Sequence, residues 1–233
     1  VRRAFVQARV YPAFIDALKP LATEAPALPQ AVAGQVEQAQ RLVDEAVAEG
    51  GRLLETKAKE TDGTVCVPKI VVDARPDMAL CREATFAPVM AVLPFDAIDD
   101  AVTMDRHCPY GLAASIFTRT PAKAITLASR LQTGMVTIND VVVSTAHPAT
   151  PFGGVGRSGW GVTQGAEGLL EMTVPQVVSV RGGSFRPHYD MAAGSTVSHA
   201  EMVRGLLAFA HGATLGQRIK GMWRLAKAMW RGN

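Results

Sequence analysis

Residues 151–161 read PFGGVGRSGWG. Within them Gly154, Gly156 and Gly159 satisfy G-x-G-x-x-G, the spacing of a dinucleotide-phosphate loop. Such a loop needs a buried strand immediately before it and a helix opening on it. The preceding residues are His147, Pro148, Ala149, Thr150 and Pro151, and two prolines are hostile to a central parallel strand. The better reading is a glycine-rich loop that follows a tight path, with positive φ, beside a site.

The segments upstream of this loop alternate between strand and helix patterns. Residues 4–10 alternate and are rich in β-formers, which predicts a strand. Tyr11-Pro12 opens a short helix with Phe14, Ile15 and Leu18 on one face. Three prolines in 20–30 predict a loop there. A helix over 35–49 buries Val36, Ala39, Val43 and Val47 and stops at Gly50-Gly51. Strands are expected at 52–55, 69–72, 88–95, 113–118 and 135–138. Helices are expected at 99–106, and at 121–132 with Ala124, Leu127, Ala128 and Leu131 inward. Strands alternating with helices of this length predict an α/β fold with a parallel sheet. Residues 176–180 form an isolated β segment after it, and an exposed edge of that kind favours pairing with another chain.

Length and composition set the class. A chain of 233 residues with 48% hydrophobic and 19% charged residues is globular rather than disordered. Its net charge of +3 is unevenly spread, because residues 201–233 hold six Lys/Arg against Glu201 alone. The rest carries 18 basic and 20 acidic residues, so it offers no nucleic-acid footprint. Cys66, Cys81 and Cys108 match no zinc spacing and read as small apolar residues in a reducing compartment. No metal site is expected. The opening residues lack the apolar core of a secretory signal, and no run of 18 apolar residues occurs.

Five blocks in order carry a more specific signal. EATFAPV at 83–89, YGLAASIFT at 110–118, GMVTIN at 134–139 and PFGGVGRSGWG at 151–161 are followed by GLLEMT at 168–173 with VVSV at 177–180. Together they resemble the aldehyde dehydrogenase superfamily over roughly positions 1–181. The resemblance implies oxidation of an aldehyde to an acid with NAD or NADP. In that chemistry a cysteine thiolate attacks the aldehyde, hydride leaves to the nicotinamide, and a glutamate-activated water hydrolyses the thioester. The opening, RAFVQ at 3–7, resembles the segment just after the family's nucleophile. The resemblance therefore implies that the nucleophilic cysteine, the general-base glutamate and the dinucleotide domain lie upstream of Val1. This chain then matches the C-terminal half and cannot run the reaction alone.

What remains lines the site. Phe86 matches the phenylalanine beside the nicotinamide, and Phe152 and Asn139 match residues near the aldehyde pocket. Each has a plainer alternative: core packing for Phe152, and an amide that satisfies loop backbone for Asn139. Glu83 matches a glutamate with no cofactor role, whereas Ala84 stands where the family's ribose-binding glutamate is expected. Losing that charge-assisted hydrogen bond costs about 1.5–3 kcal/mol of nicotinamide binding. The connection around 20–34 is short for the family. Residues 140–150 match the variable loop at the substrate entrance, where Val141, Val142 and Val143 make the mouth apolar.

The organisation expected is thus a partial catalytic domain at 1–172, an oligomerisation strand at 173–181, a linker at 182–200 and a basic amphipathic helical tail at 201–233. In the tail, Leu215, Ile219, Met222, Trp223, Ala226 and Trp230 form one stripe, and Lys220, Arg224, Lys227 and Arg231 form another. A basic amphipathic helix with tryptophans suits the surface of an anionic membrane, or else it docks on protein. Gly216 and Gly221 weaken it by about 1 kcal/mol each. A tail on lipid points to a long-chain aldehyde as substrate. The expected partners are the missing N-terminal half and further copies of the chain. The expected location is cytoplasmic, with peripheral membrane contact. The competing function is a non-catalytic subunit that assembles with intact subunits and tethers them to a membrane.

Overall fold

The computed structural model describes residues 1–30, 32–58, 65–141, 146–180, 182 and 199–230. The chain divides into two units, Val1–Pro175 and Gln176–Asn233.

In the first unit β1 (Arg3–Gln7) runs through a 3-10 turn into α1 (Tyr11–Thr23). Then come β2 (Leu28–Pro29), α2 (Ala33–Ala48), β3 (Arg52–Leu53), β4 (Val65–Cys66), β5 (Lys69–Val72) and α3 (Ala79–Arg82). They are followed by β6 (Val89–Phe95), α4 (Ile98–Asp105), β7 (Tyr110–Gly111), β8 (Ala113–Ile116) and α5 (Pro121–Ala128). The unit closes with β9 (Met135–Ile138), β10 (Val155–Gly156) and α6 (Gly165–Glu171).

The main sheet has the order β1-β6-β5-β3. β6 pairs in parallel with both β1 and β5, and β3 adds antiparallel to β5. Both faces are covered, which is the condition under which parallel strands persist. The two-residue period of the strands sorts the side chains. Phe5, Val71, Ala91 and Leu93 point toward α2 and α3, where Leu42, Val43, Met78 and Cys81 complete a core cluster. Val6, Val72 and Val92 point to the other face and meet Ile15 and Ala22 of α1. β8 and β9 form a separate parallel pair, with Ser115 opposite Thr137 and their hydroxyls 2.9 Å apart.

The ends of elements are fixed by identifiable contacts. Asp100 accepts the backbone N–H of Ala97 at 2.8 Å and so caps the start of α4. At the other end Asp105 places a negative charge where the helix dipole disfavours it. The Arg3 guanidinium lies 2.9 Å from that carboxylate and neutralises it, both side chains being largely buried. This pair ties β1 to α4.

Several expectations need correction. α1 continues through Pro20 to Thr23, where a loop was expected. Ala22 is buried and Leu18 packs beside it, so tertiary burial overrides the cost of an interior proline. In α2 the buried stripe is Val36, Ala39, Leu42, Val43 and Ala46, while Val47 is 42% exposed. The stripe is centred one residue row away from the expected one, at the edge of which Val47 sits. α5 ends at Ala128, short of Gln132. Residues 174–180 make no ladder within the single chain and their valines are exposed, which leaves them open to the expected pairing with another copy.

The second unit is also different from a single helix. α7 (His199–His211) and α8 (Leu215–Trp230) pack on each other as a hairpin. α7 falls partly where a linker was expected, and the rest of that linker, 183–198, lies outside the described residues. Gly221 does not merely weaken α8. A Cβ on it would stand 2.3 Å from the backbone nitrogen of Phe209, and one on Gly205 would stand 2.7 Å from that of Leu225. The two glycines are where the helices touch. Among the described residues no helix is long and apolar enough to cross a membrane.

Candidate active-site surface

Three of the quoted sequence blocks converge, and glycines make the convergence possible. A Cβ on Gly134 would lie 1.7 Å from the carbonyl oxygen of Gly153, so GMVTIN is seated directly on the backbone of the PFGG loop. A Cβ on Gly153 would in turn lie 2.1 Å from the carbonyl oxygen of Gly161. The loop is closed by Phe152 and Thr163, which exchange backbone hydrogen bonds of 2.9 and 2.7 Å. Its outer limb, β10, pairs antiparallel with β7 of the YGLAAS block. Gly156 turns there at φ +61 against the carbonyl of Pro109, and Arg157 donates its N–H to that same carbonyl at 2.9 Å. The tight, positive-φ path expected of this loop is therefore realised, with Gly159 and Gly161 also at positive φ.

Asn139 sits at the end of β9 with φ +58. Its Oδ1 accepts the Thr118 N–H at 2.8 Å and its Nδ2 donates to the Thr118 carbonyl at 3.0 Å. Its own N–H reaches the Ile116 carbonyl at 2.9 Å. The amide thus clamps the ends of β8 and β9 together, and both of its polar atoms are committed to backbone. Phe152 is half-buried at the closure of the loop. Phe86 is 91% exposed on a different segment, just before β6. No hydrogen bond joins the three residues. Of the entrance loop, Val141 is exposed, while Val142 and Val143 lie outside the described residues.

The segment carrying Phe86 is held by α2. Gln35 Oε1 accepts the Phe86 N–H at 3.0 Å and lies 3.4 Å from the Thr85 hydroxyl, which itself accepts the Ala87 N–H. Gln38 donates to the Ala84 carbonyl at 3.4 Å, and Glu83 faces Arg41 at 3.6 Å. These contacts fix the backbone and leave the Phe86 ring free. Gln35 is a half-buried helical glutamine 50 residues from Thr85, and nothing local in the sequence marks it.

The three cysteines differ in exposure, and Cys108 is half-buried. Cys66 and Cys81 are buried, and burial pushes the Cys81 thiol up to about 11. A thiol with so high a pKa supplies almost no thiolate near neutrality. Nearby, Arg2 lies over the Tyr110 ring at 5.8 Å, and burial holds its guanidinium below the usual arginine range. Its Nη2 is buried without a hydrogen-bond partner. Among the described residues no group of three or more His, Cys, Asp or Glu is placed to hold a metal.

Comparison with known proteins agrees with the architecture. The model of the Aldehyde dehydrogenase family matches residues 1–178. The 4-(hydroxymethyl)benzenesulfonate dehydrogenase of Comamonas testosteroni is 34% identical over 176 residues, covering 72% of this chain and 36% of that protein. The crystal structure of lactaldehyde dehydrogenase from Escherichia coli superposes with a TM-score of 0.70 at 29% identity, over 76% of this chain and 39% of that one. The NAD+ complex of aldehyde dehydrogenase from Bacillus cereus gives a TM-score of 0.65 at 27% identity, over 72% and 36%. The chain spans just over a third of the length of these relatives.

Proposed function

Because the chain belongs to the aldehyde dehydrogenase family, we propose that residues 1–172 form the aldehyde-facing part of an NAD- or NADP-dependent aldehyde dehydrogenase. The nucleophile, general base and dinucleotide domain come from an upstream half. The observation that carries this reading is the seating of GMVTIN on the PFGG loop, where two backbones meet with no room for a side chain. That contact fixes the wall on which Phe152 sits. The Asn139 clamp holds the ends of β8 and β9 together.

The cofactor, when bound, accepts the hydride. On this chain Phe86 fits a nicotinamide, since its ring is free and its backbone is pinned by Gln35. Ala84 does not fit the ribose, because its side chain offers no acceptor and its carbonyl already faces Gln38. The chain's own part is to position and to exclude water, and its Cys81 thiol, held protonated by burial, does not suit attack on a carbonyl. Residues 173–181 pair with the sheet of another copy, making a homo-oligomer, and the protein is cytoplasmic with peripheral membrane contact through its tail. A long-chain aldehyde is the substrate class that such contact favours.

A second reading is a non-catalytic subunit that assembles with intact enzyme, and Ala84 is the observation that favours it. The coding sequence upstream of Val1 separates the two. A cysteine codon within a few positions, in a G-Q-x-C-like context, supports the enzyme. A start codon at that place supports the subunit. As a direct test, the chain joined to its upstream residues should reduce NAD or NADP when an aldehyde is added, and the 233-residue chain alone should not.

A further inference from the structure

A helical hairpin in water normally buries its large apolar side chains in the seam between the helices. This one does the reverse. At its seam Gly205 sits on the backbone of Leu225 and Gly221 on that of Ala208 and Phe209, and of the large apolar side chains Leu225 is half-buried there. The bulky residues Leu206, Phe209, Leu215, Ile219, Met222 and Trp223 are left outside, with Leu215 74% and Trp223 70% exposed. Glycines at the contact and most large apolar side chains outside it is the arrangement of helices that pack in lipid, where the surroundings are as apolar as leucine.

The faces are also sorted by charge. With the seam fixed at Gly205 and Gly221, about 100° per residue places Leu206 and Phe209 on the same side of the hairpin as Leu215 and Met222. Arg204, Lys220, Arg224 and Lys227 fall on the other side and its flanks, and Arg218, near the turn on the apolar side, is engaged with the Gly212 carbonyl at 3.0 Å. Arg204 pairs with Glu201 at 2.8 Å, whereas Lys220, Arg224 and Lys227 have no ion pair among the described residues. A second copy packed apolar side to apolar side would leave Lys220, Arg224 and Lys227 without an anionic partner. An anionic surface with an apolar interior satisfies both sides at once. α7 and α8 have 13 and 16 residues, too short to span a bilayer of ordinary thickness.

We propose that the α7–α8 hairpin docks in the plane of an anionic bilayer, with Leu206, Phe209, Leu215 and Met222 toward the acyl chains. Lys220, Arg224 and Lys227 reach up to the phosphates. The proposal deepens the peripheral membrane contact named above and rests on that part of the reading only.

The test is flotation of the whole 233-residue chain with vesicles of phosphatidylcholine alone, and of one part phosphatidylglycerol to two parts phosphatidylcholine. Binding to the anionic vesicles should be at least about tenfold tighter and should weaken with salt. Each cation replaced by Gln should cost about fivefold, so the triple change at Lys220, Arg224 and Lys227 should cost about a hundredfold. Replacing Leu215 and Met222 by Ser should also release the chain, and circular dichroism should show the helices retained in both variants. Equal binding to neutral and anionic vesicles would overturn the proposal. So would absence of binding to either, whether or not sedimentation shows the chain pairing with itself. Aldehyde oxidation by the longer protein is a separate readout, and a lipid failure leaves it untouched.

Discussion

Replacing Gly134 by Ala should unseat the PFGG loop. The added Cβ would stand 1.7 Å from the Gly153 carbonyl oxygen, whereas real contacts of this kind essentially never fall below 3.0 Å. One backbone must therefore retreat by more than an ångström. Gly153 has no free direction, because its own Cβ position is 2.1 Å from the Gly161 carbonyl. The loop has to open at the Phe152–Thr163 pair, which gives up two backbone hydrogen bonds worth about 1 kcal/mol each. Overpacking adds about 1–3 kcal/mol. The total is about 3–5 kcal/mol, a large share of the roughly 5–15 kcal/mol that holds a domain folded. Urea unfolding followed by circular dichroism reads this out, with limited proteolysis between residues 150 and 163 as the local probe. Gly34→Ala is the control, since nothing lies within 4 Å of its Cβ position, and, lying in the first turn of α2, it should be neutral or stabilising by up to about 1 kcal/mol. If Gly134→Ala unfolds within about 1 kcal/mol of the parent and the loop stays resistant to protease, the close seating of the two blocks is wrong.

Other outcomes follow from the same contacts. Arg3→Ala should cost about 2–3 kcal/mol in urea unfolding, because it strands the partly buried Asp105 carboxylate at the end of α4. Gln35→Ala should free the Phe86 segment and cost about 1 kcal/mol, with faster amide exchange at Phe86 as the local sign. The buried Cys81 thiol has its pKa raised from 9.0 to about 11, so the folded state holds the proton longer than the unfolded one. Stability should then be full below pH 9 and fall as pH rises through about 11, by on the order of 2–3 kcal/mol. Cys81→Ala should flatten that decline.

The parallel sheet was legible because its strands are short apolar runs separated by amphipathic helices, and burial on both faces leaves that mark. The path of the glycine loop was legible from Pro148 and Pro151, which exclude the competing phosphate-loop geometry. The ending of α1 was not, because Pro20 is a strong local stop signal and the burial of Ala22 that overrides it is a tertiary fact. Val47 was misplaced because valine fits either row of a helix stripe and only packing chooses between Leu42 and Val47. For the proposed site, Phe86, Phe152 and Asn139 are named only from the resemblance of their blocks. Their supports could not: the seat of Gly134 on Gly153, the reach of Gln35 and the Thr118 clamp all join residues distant in sequence. The second hairpin helix was missed because α7 lacks a clear basic stripe, and Gly205 and Gly221 read as helix weakeners until a partner helix is beside them.

The proposed dependence on an upstream half is tested most directly by the intact mass of the native polypeptide isolated from its source. A mass near or above twice 24.7 kDa is expected, because 176 matched residues make up only 36% of a full-length relative. A native mass of 24.7 kDa, together with aldehyde-dependent reduction of NAD or NADP, would contradict it.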